Sequence, residues 1–457
     1  MELTDNILLQ SDSYKYSMHN QYPSGTEYVY EYMESRKNSE YPDTVFFGLQ
    51  YYLMRYLSKP VTKKEVEYAR DFFAQHFGKE VFNYDGWMYI VEKHGGYLPV
   101  TIRSVDEGSV IPIDNVLMTI ENTDPNCFWL TTFLETLLLK VWYPSTVATI
   151  SYFNKQEILN NLIATGDPSL IDFKLHDFGF RGVSSCESAA LGGAGHLINF
   201  KGTDTVLALE LIRQYYDIDM VGFSIPAMEH STVTSWGEKN ESAAYANMLN
   251  KYPDGLVACV SDSYDIFNAC ENIFGEELKD LVVNRKGCLV IRPDSGEPTL
   301  VLMKILPKLE AKFGSTINSK GYKVLPPYVR IIWGDGIDSK SIPFILRNLK
   351  DLGWSGDNLA FGSGGGLLQK LNRDTQSFAI KCSSITVLGN QINVYKNPVT
   401  QSSKQSKRGR LDLDLIAGKY ITVPEGTAIN SQLKTRFHNG KLFNLISFNQ
   451  IRKNASK

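Results

Sequence analysis

Seven short apolar runs in the middle of the chain each end in residues able to hold an anion or move a proton. They are FKLHDFG, NFKGTD, MVGFSIP, LVACVSDSYD, CLVIRPDSG, VRIIWGDG and NLAFGSGGG. At or just beyond their ends stand His176, Asp177, Arg181, Asp204, Glu229, His230, Asp262, Arg292, Asp294 and Asp335. In RPDSG, Arg292 and Asp294 are two apart, so an extended backbone projects both to one side. Arg292 can meet a phosphate in forked geometry while Asp294 accepts from sugar hydroxyls; a mutual surface ion pair is the alternative. The GSGGG cluster at 362–366 lets backbone N–H groups crowd around an anion, and Gly334 in GDG lets the backbone approach a ligand. A tight, closely packed turn would use the same glycines. No GK[ST] follows, so this is not a Walker A loop. His230, beside Glu229, and His176 each offer an acid, base or nucleophile, or else a core imidazole with satisfied nitrogens.

These residues need a scaffold that brings seven strand ends together. The runs recur roughly every 25–40 residues, the length of one strand plus one crossover helix. That rhythm predicts an irregular parallel β/α barrel over 146–380, with an open doubly wound sheet as the competing architecture. In a barrel the C-terminal strand ends carry the chemistry. LLQKLNRD after the glycine cluster looks helical. The flanking text differs. TEYVYEYMES reads as a strand, DEGSVIPIDNVLMTIENTD as two strands around a turn at Ile113–Asn115, and residues 60–80 as a helix burying Val66, Ala69, Phe72 and Phe73. FWLTTFLETLLLKVWYP, broken by Glu135, Lys140 and Pro144, reads as a buried helix rather than a membrane span. ITVLGNQINVYKNP, GKYITVPEG and TRFHNGKLFN are strand-and-turn text. Residues 1–145 and 381–457 are therefore expected to form one discontinuous, mixed and β-rich domain. SSKQSKRGR reads as a flexible surface loop.

Composition sets the remaining bounds. Of 457 residues, 43% are hydrophobic and 21% charged, so a sizeable core can form. A net charge of -3 gives no nucleic-acid footprint, and an anionic substrate must be met by local basic groups. The six cysteines stand singly, with no CxxC and no HExxH, as expected of reduced thiols in a cytoplasmic protein. MELTDNILLQSDSYK lacks a signal pattern.

In order and spacing, these motifs resemble the nicotinamide phosphoribosyltransferase family over nearly the whole chain. Further motifs carry the likeness: DSYK at 12–15, YPSGTEYVYEYMESR, VFFGLQYYL, ENTDP at 121–125, WYPSTVAT at 142–149, KLHDFGFRGVSS, PAMEHST and AFGSGGGLLQKLNRD. The resemblance implies a type II phosphoribosyltransferase: an α/β protein with an irregular barrel, a second domain from both chain ends, and a homodimer with shared active sites. It implies synthesis of nicotinamide mononucleotide from nicotinamide and phosphoribosyl pyrophosphate in NAD salvage. Phe178 and Tyr14 of the partner subunit would sandwich the ring, and Asp204 would accept from the carboxamide. Arg181, His230 and Arg292 would meet the diphosphate. Arg292, Asp294, Gly334, Asp335, Gly364, Gly365 and Arg373 would hold ribose and phosphate, with Arg36, Lys381 and Lys396 as further basic contacts. Asp262 would lie near the diphosphate and Mg²⁺, whose direct ligands the resemblance does not assign. ATP would phosphorylate His230 transiently, and His230, Asp262 and Asp294 would carry the catalysis. Phe180, Ala258 and Ala379 stand where vertebrate members carry hydroxyl groups. The rival readings are nicotinate phosphoribosyltransferase, a non-catalytic dimeric binding protein, and an unrelated phosphate-binding barrel enzyme.

Overall fold

The computed structural model describes residues 6–400 and 405–457, so 402–404 of the basic loop and the first five residues lie outside the described residues. The chain forms two compact units, Met1–Thr149 with Ile212–Ile218 and Asn372–Lys457, and Ile150–Leu211 with Asp219–Leu371.

The second unit is built on parallel strands. In spatial order they are Gly202–Thr203, Leu175–Asp177, Leu359–Ser363, Val329–Trp333, Lys286–Arg292 and Asp254–Val260. The MVGFSIP run supplies the seventh stave. Thr203 N–H donates to Phe223 O at 3.1 Å and Phe223 N–H to Lys201 O at 2.7 Å. On the far edge, Ala258 N–H donates to Pro226 O and Met228 N–H to Ala258 O, both at 2.9 Å. One segment thus bonds to both outer strands, and the ring closes. An open sheet would leave those edges apart, so the barrel reading holds and the doubly wound one does not. The two- and three-residue strands make the barrel irregular.

Side chains alternate across these strands, as the pleat requires. Val257, Cys259, Leu289, Ile291, Ile331, Trp333 and Phe361 join the core beneath the outer helices, whereas Ala258, Cys288, Val290 and Ile332 form a thin cluster of their own with Phe178, Ile225 and Ala360. Helix Pro298–Phe313 buries Leu302, Ile305, Leu306 and Leu309; Glu297 caps it by accepting from Leu300 N–H, and Gly314 ends it. Fully burying such a side chain contributes roughly 1.5–3 kcal/mol. The helix expected over LLQKLNRD is a single turn, Gly365–Leu368. Asn372 ends any continuation, because its Oδ1 accepts from the N–H groups of Asp374 and Thr375.

The first unit holds a seven-stranded antiparallel sheet in the order Asn390–Asn393, Phe378–Val387, Thr26–Ser35, Val116–Asn122, Val100–Ser104, Lys434–His438 and Lys441–Leu442. Strands from both chain ends therefore interleave. Residues 372–380 belong here rather than with the barrel, because Phe378 pairs with Ser35 and the Gln376 amide donates to Thr44 Oγ1. Residues 146–149 do too, since Val45 N–H donates to Thr149 Oγ1. Both boundaries thus differ from the expected 145/146 and 380/381.

Helix Lys63–Phe77 has the capping box Thr62/Glu65 and left-handed Gly78 at its end. Phe72, expected inside, is 46% exposed and stacks on Tyr68 instead. FWLTTFLETLLLKVWYP divides into Leu130–Leu139 and the start of Trp142–Thr165. The two strands expected around Ile113–Asn115 do not pair with each other. Val110–Pro112 pairs with Asp43–Val45, because Asp114 takes φ 66° and its N–H donates to Ser35 O, re-aiming the chain. The described part of the basic loop is tied down rather than free: Lys407 Nζ binds Glu34 and Asp114, and Arg410 binds Glu121 and Glu425. No described helix is long and apolar enough to cross a membrane.

Candidate active site

At the C-terminal ends of the barrel strands lies a cavity of about 830 Å³, lined by Phe178, Arg181, Asp204, Arg292, Asp294 and the turns at 334–337 and 364–366. The barrel thus gathers residues up to 192 positions apart, Phe178 and Lys370, into one opening.

Phe178 is placed by three contacts. Its N–H donates to Ser363 O at 2.9 Å. The buried Asp177 carboxylate accepts from Gly179 N–H at 2.7 Å and from Thr203 Oγ at 3.1 Å, which fixes the turn. Asp177 is therefore part of the support, and burial pushes its carboxyl above the usual range. The ring itself lies on Gly362: a Cβ there would fall 1.9 Å from Phe178 Cε2.

Asp204 follows the next strand. His176 Nε2 is 2.8 Å from Asp204 Oδ1, and Ser224 Oγ donates to the same oxygen. Burial opposes ionisation of Asp204, but these bonds outweigh it and hold the carboxyl below its ordinary value.

His230 is the first residue of helix His230–Thr234, and Glu229 caps it by accepting from Ser231 N–H at 2.9 Å. His230 Nε2 lies 3.2 Å from Asp262 Oδ1. The other Asp262 oxygen accepts from Asp294 N–H at 2.9 Å and from Ser295 Oγ. Asp262, only 5% exposed, thus ties the histidine to the RPDSG turn. A carboxylate only accepts, so His230 Nε2 carries a proton, and in the neutral ring the lone pair is then on Nδ1. Arg292 lines the cavity, and its Nε is buried without a hydrogen-bond partner. A mutual ion pair with Asp294 therefore does not account for it. A buried donor left open points to a ligand acceptor.

The first unit has a basic cavity of its own, about 440 Å³, where Arg36, Arg373 and Lys381 meet Glu135 and the Ser377–Lys381 strand start. Arg36 Nε and Nη2 are buried without hydrogen-bond partners, although Nε lies 3.5 Å from Glu34. Burial lowers Lys381 below the usual lysine range, with Glu135 opposing that shift. Arg373 thus stands with Arg36 and Lys381, not among the cavity-lining residues of the barrel. Lys396 is exposed and lines neither cavity, and Tyr14 is 60% exposed on the turn Ser13–Asn20.

Next to Lys15 and Glu135, Glu31 is 3% exposed, and its Oε2 has no partner. Burial and the Glu135 charge push its carboxyl up to about 7. A raised carboxyl pKa stabilises the fold below its unfolded value and loses that contribution as pH rises through the folded one. Glu31→Gln is thus expected to leave stability near pH 4 unchanged and to raise it above pH 7, by an amount on the order of 3 kcal/mol. Urea melts of both proteins across pH 4–8 measure this; parallel curves would show that Glu31 does not titrate in that window.

Comparison with known proteins decides the family. The nicotinate phosphoribosyltransferase (NAPRTase) family model matches residues 173–441, and the N-terminal domain model of nicotinamide phosphoribosyltransferase matches residues 6–102. A nicotinamide phosphoribosyltransferase of Xanthomonas campestris is 48% identical, over 100% of this chain and 99% of its own. One from Acinetobacter baylyi is 31% identical, over 100% and 98%. The chain belongs to the nicotinamide phosphoribosyltransferase family. The same fold is seen in nicotinate-nucleotide pyrophosphorylase from Pyrococcus furiosus, with TM-score 0.61 and 15% identity over 100% of this chain and 96% of that one. It is also seen in human nicotinic acid phosphoribosyltransferase, with TM-score 0.57 and 16% identity over 98% and 92%.

Within this member of the nicotinamide phosphoribosyltransferase family, most of the residues expected from motifs divide between two cavities, while Tyr14, His230, Asp262 and Lys396 line neither. Phe178, Arg181, Asp204, Arg292, Asp294, Gly334, Asp335, Gly364 and Gly365 line the barrel opening; Arg36, Arg373 and Lys381 line the other. Phe180 and Ala379 line one cavity each, and Ala258 lies in the barrel's thin inner cluster. Ser224, Ser295 and the support role of Gly362 escaped the sequence reading. Nothing in FSIP or PDSG marks a serine as the partner of a carboxylate far away in sequence.

Proposed function

We propose that this chain transfers the phosphoribosyl group of phosphoribosyl pyrophosphate to nicotinamide, giving nicotinamide mononucleotide and diphosphate in NAD salvage. The observation that carries the reading is the meeting of an aromatic face, an ionised carboxylate and an arginine with an unused buried donor in one opening. Nicotinamide is a neutral, electron-poor ring, which suits the face of Phe178. Asp204 accepts from an amide N–H but repels the carboxylate of nicotinate, so it selects by rejection as well as attraction. The ring nitrogen attacks C1 of the ribose with its own lone pair and needs no base. As the bond from C1 to the diphosphate oxygen breaks, positive charge develops on the sugar and negative charge on the leaving group. Arg292 and Arg181 stabilise the latter, and positioning brings the reacting atoms together.

In a homodimer, Tyr14 of the partner subunit supplies the second aromatic face, and Arg36, Arg373 and Lys381 serve as further phosphate contacts. Carboxylates such as Asp294 and Asp335, together with diphosphate oxygens, form the hard donor set that suits Mg²⁺, which when bound would neutralise phosphate charge. ATP enters through His230: Nδ1 attacks the γ-phosphorus while Asp262 holds Nε2–H, the bond from that phosphorus to the bridging oxygen breaks and ADP leaves, and water later hydrolyses the phosphohistidine to free phosphate.

One assay tests the reading: mononucleotide formation from nicotinamide or nicotinate, each with and without ATP. Faster turnover of nicotinate overturns it. His230→Ala is expected to abolish protein labelling from γ-labelled ATP, remove ATP stimulation and raise the KM for phosphoribosyl pyrophosphate. Equal labelling of variant and parent would place the phosphate elsewhere.

A further inference from the structure

We propose that His176, together with Ser224, is a positioning residue that fixes the amide-over-acid preference by locking Asp204 in rotation. The inference rests on the base-recognition role given to Asp204 above.

The geometry is specific. His176 and Gly202 are register partners on neighbouring parallel strands, and Asp204 lies two residues beyond Gly202. A Cβ on Gly202 would fall 2.7 Å from His176 Nδ1, so only glycine lets the imidazole lie across that strand. The ring then reaches over it, and Nε2 comes within 2.8 Å of Asp204 Oδ1. Ser224, from the segment that closes the barrel, donates to that same oxygen from the other neighbouring stave. Two donors from two different staves converge on Oδ1, and neither bonds Oδ2.

The consequence follows from the chemistry of a carboxylate. The Asp204 side chain is 47% exposed, and the terminal torsion of an aspartate is broad and two-fold. Left alone, such a group rotates and presents either oxygen, at a range of angles, to a bound ring. Anchored through Oδ1, it presents Oδ2 at one angle and stays ionised. An amide N–H can be held by that fixed acceptor. A carboxylate in the same place meets a fixed like charge with no donor to offer. Selectivity is thus a property of the three-residue set rather than of Asp204 alone.

The test is the ratio of kcat/KM for nicotinamide to that for nicotinate in His176→Ala, His176→Gln, Ser224→Ala and Asp204→Ala. The Gln side chain places an N–H close to the position of imidazole Nε2. The expected result is a fall in the ratio of about tenfold or more in His176→Ala, carried by a higher KM for nicotinamide with an unchanged KM for phosphoribosyl pyrophosphate. Ser224→Ala should shift the ratio in the same direction, and His176→Gln should restore most of it. If Asp204→Ala collapses the ratio while His176→Ala and Ser224→Ala leave it intact, the lock is wrong and the recognition role of Asp204 stands. If Asp204→Ala leaves the ratio intact, the recognition role fails and the lock with it. Should His176→Ala not fold, Ser224→Ala and His176→Gln decide, since each alters one donor to Oδ1 without emptying the space of the imidazole.

Discussion

Replacing Arg292 by alanine is expected to lower kcat/KM for phosphoribosyl pyrophosphate by about 10²–10³-fold, the cost of truncating one partner of a desolvated charge pair. Arg292 ends a central barrel strand and lines the opening, with a buried Nε that no protein group satisfies. An unpaired buried donor is a cost to the free enzyme, and a bound phosphate or diphosphate oxygen removes it. The same reasoning predicts that Arg292→Ala leaves thermal stability unchanged or slightly higher, since nothing in the folded chain loses a partner at Nε. Arg292→Lys restores the charge but not the planar fork, so it should recover only part of the loss. Initial rates at varied phosphoribosyl pyrophosphate, with calorimetric melts of each variant, measure both effects. A KM for phosphoribosyl pyrophosphate within twofold of the parent in Arg292→Ala would mean that no anion sits there.

The second large effect is expected at a residue with no side chain. Gly362→Ala should reduce kcat/KM for nicotinamide by about 10²-fold, the scale of a reacting group displaced by roughly 1 Å. The new Cβ would stand 1.9, 2.3 and 2.7 Å from three atoms of the Phe178 ring. The ring edge also lies close to Gly334, just past the end of the neighbouring strand, where an added Cβ would be 3.2 Å from Cε2. Phe178 must leave its present plane, the one that would face the base in the proposed reaction, or the strand must shift. Overpacking of this kind costs about 1–3 kcal/mol of stability, so the variant should still fold. Gly182→Ala serves as the control: its Cβ would meet nothing nearer than 3.4 Å. Calorimetric titration of nicotinamide into both variants reads the difference. Equal affinities in Gly362→Ala and the parent would show that the ring does not touch the base.

The chain's own text announced the barrel unusually well. Each of the seven apolar runs became one stave, because a strand buried beneath a helix must be apolar and must end where its polar residues meet solvent. The charged residues at those ends were legible for the same reason. Other features were not. Phe72 has the spacing of an inward residue, yet it lies outside, because periodicity gives a helix a face but not the width of the surface that covers it. LLQKLNRD has helical composition, yet one turn forms, because Asn372 bonds the following backbone locally. Val110–Pro112 found its partner in Asp43–Val45 rather than in its neighbour, a choice made by the backbone of Asp114.

Residue types and their spacing determined on their own that charged residues and glycine turns would cluster at the ends of parallel strands, since alternation and turn chemistry are local. Tertiary structure alone decided which groups touch. His176 and Ser224 meet one oxygen of Asp204 from two staves, Asp262 joins His230 to the Asp294 turn, and Arg373 sides with Arg36 rather than with the glycine cluster. Such contacts depend on strand register and ring closure, which are set by the packing of the whole barrel and sheet and leave no mark on any short stretch of sequence.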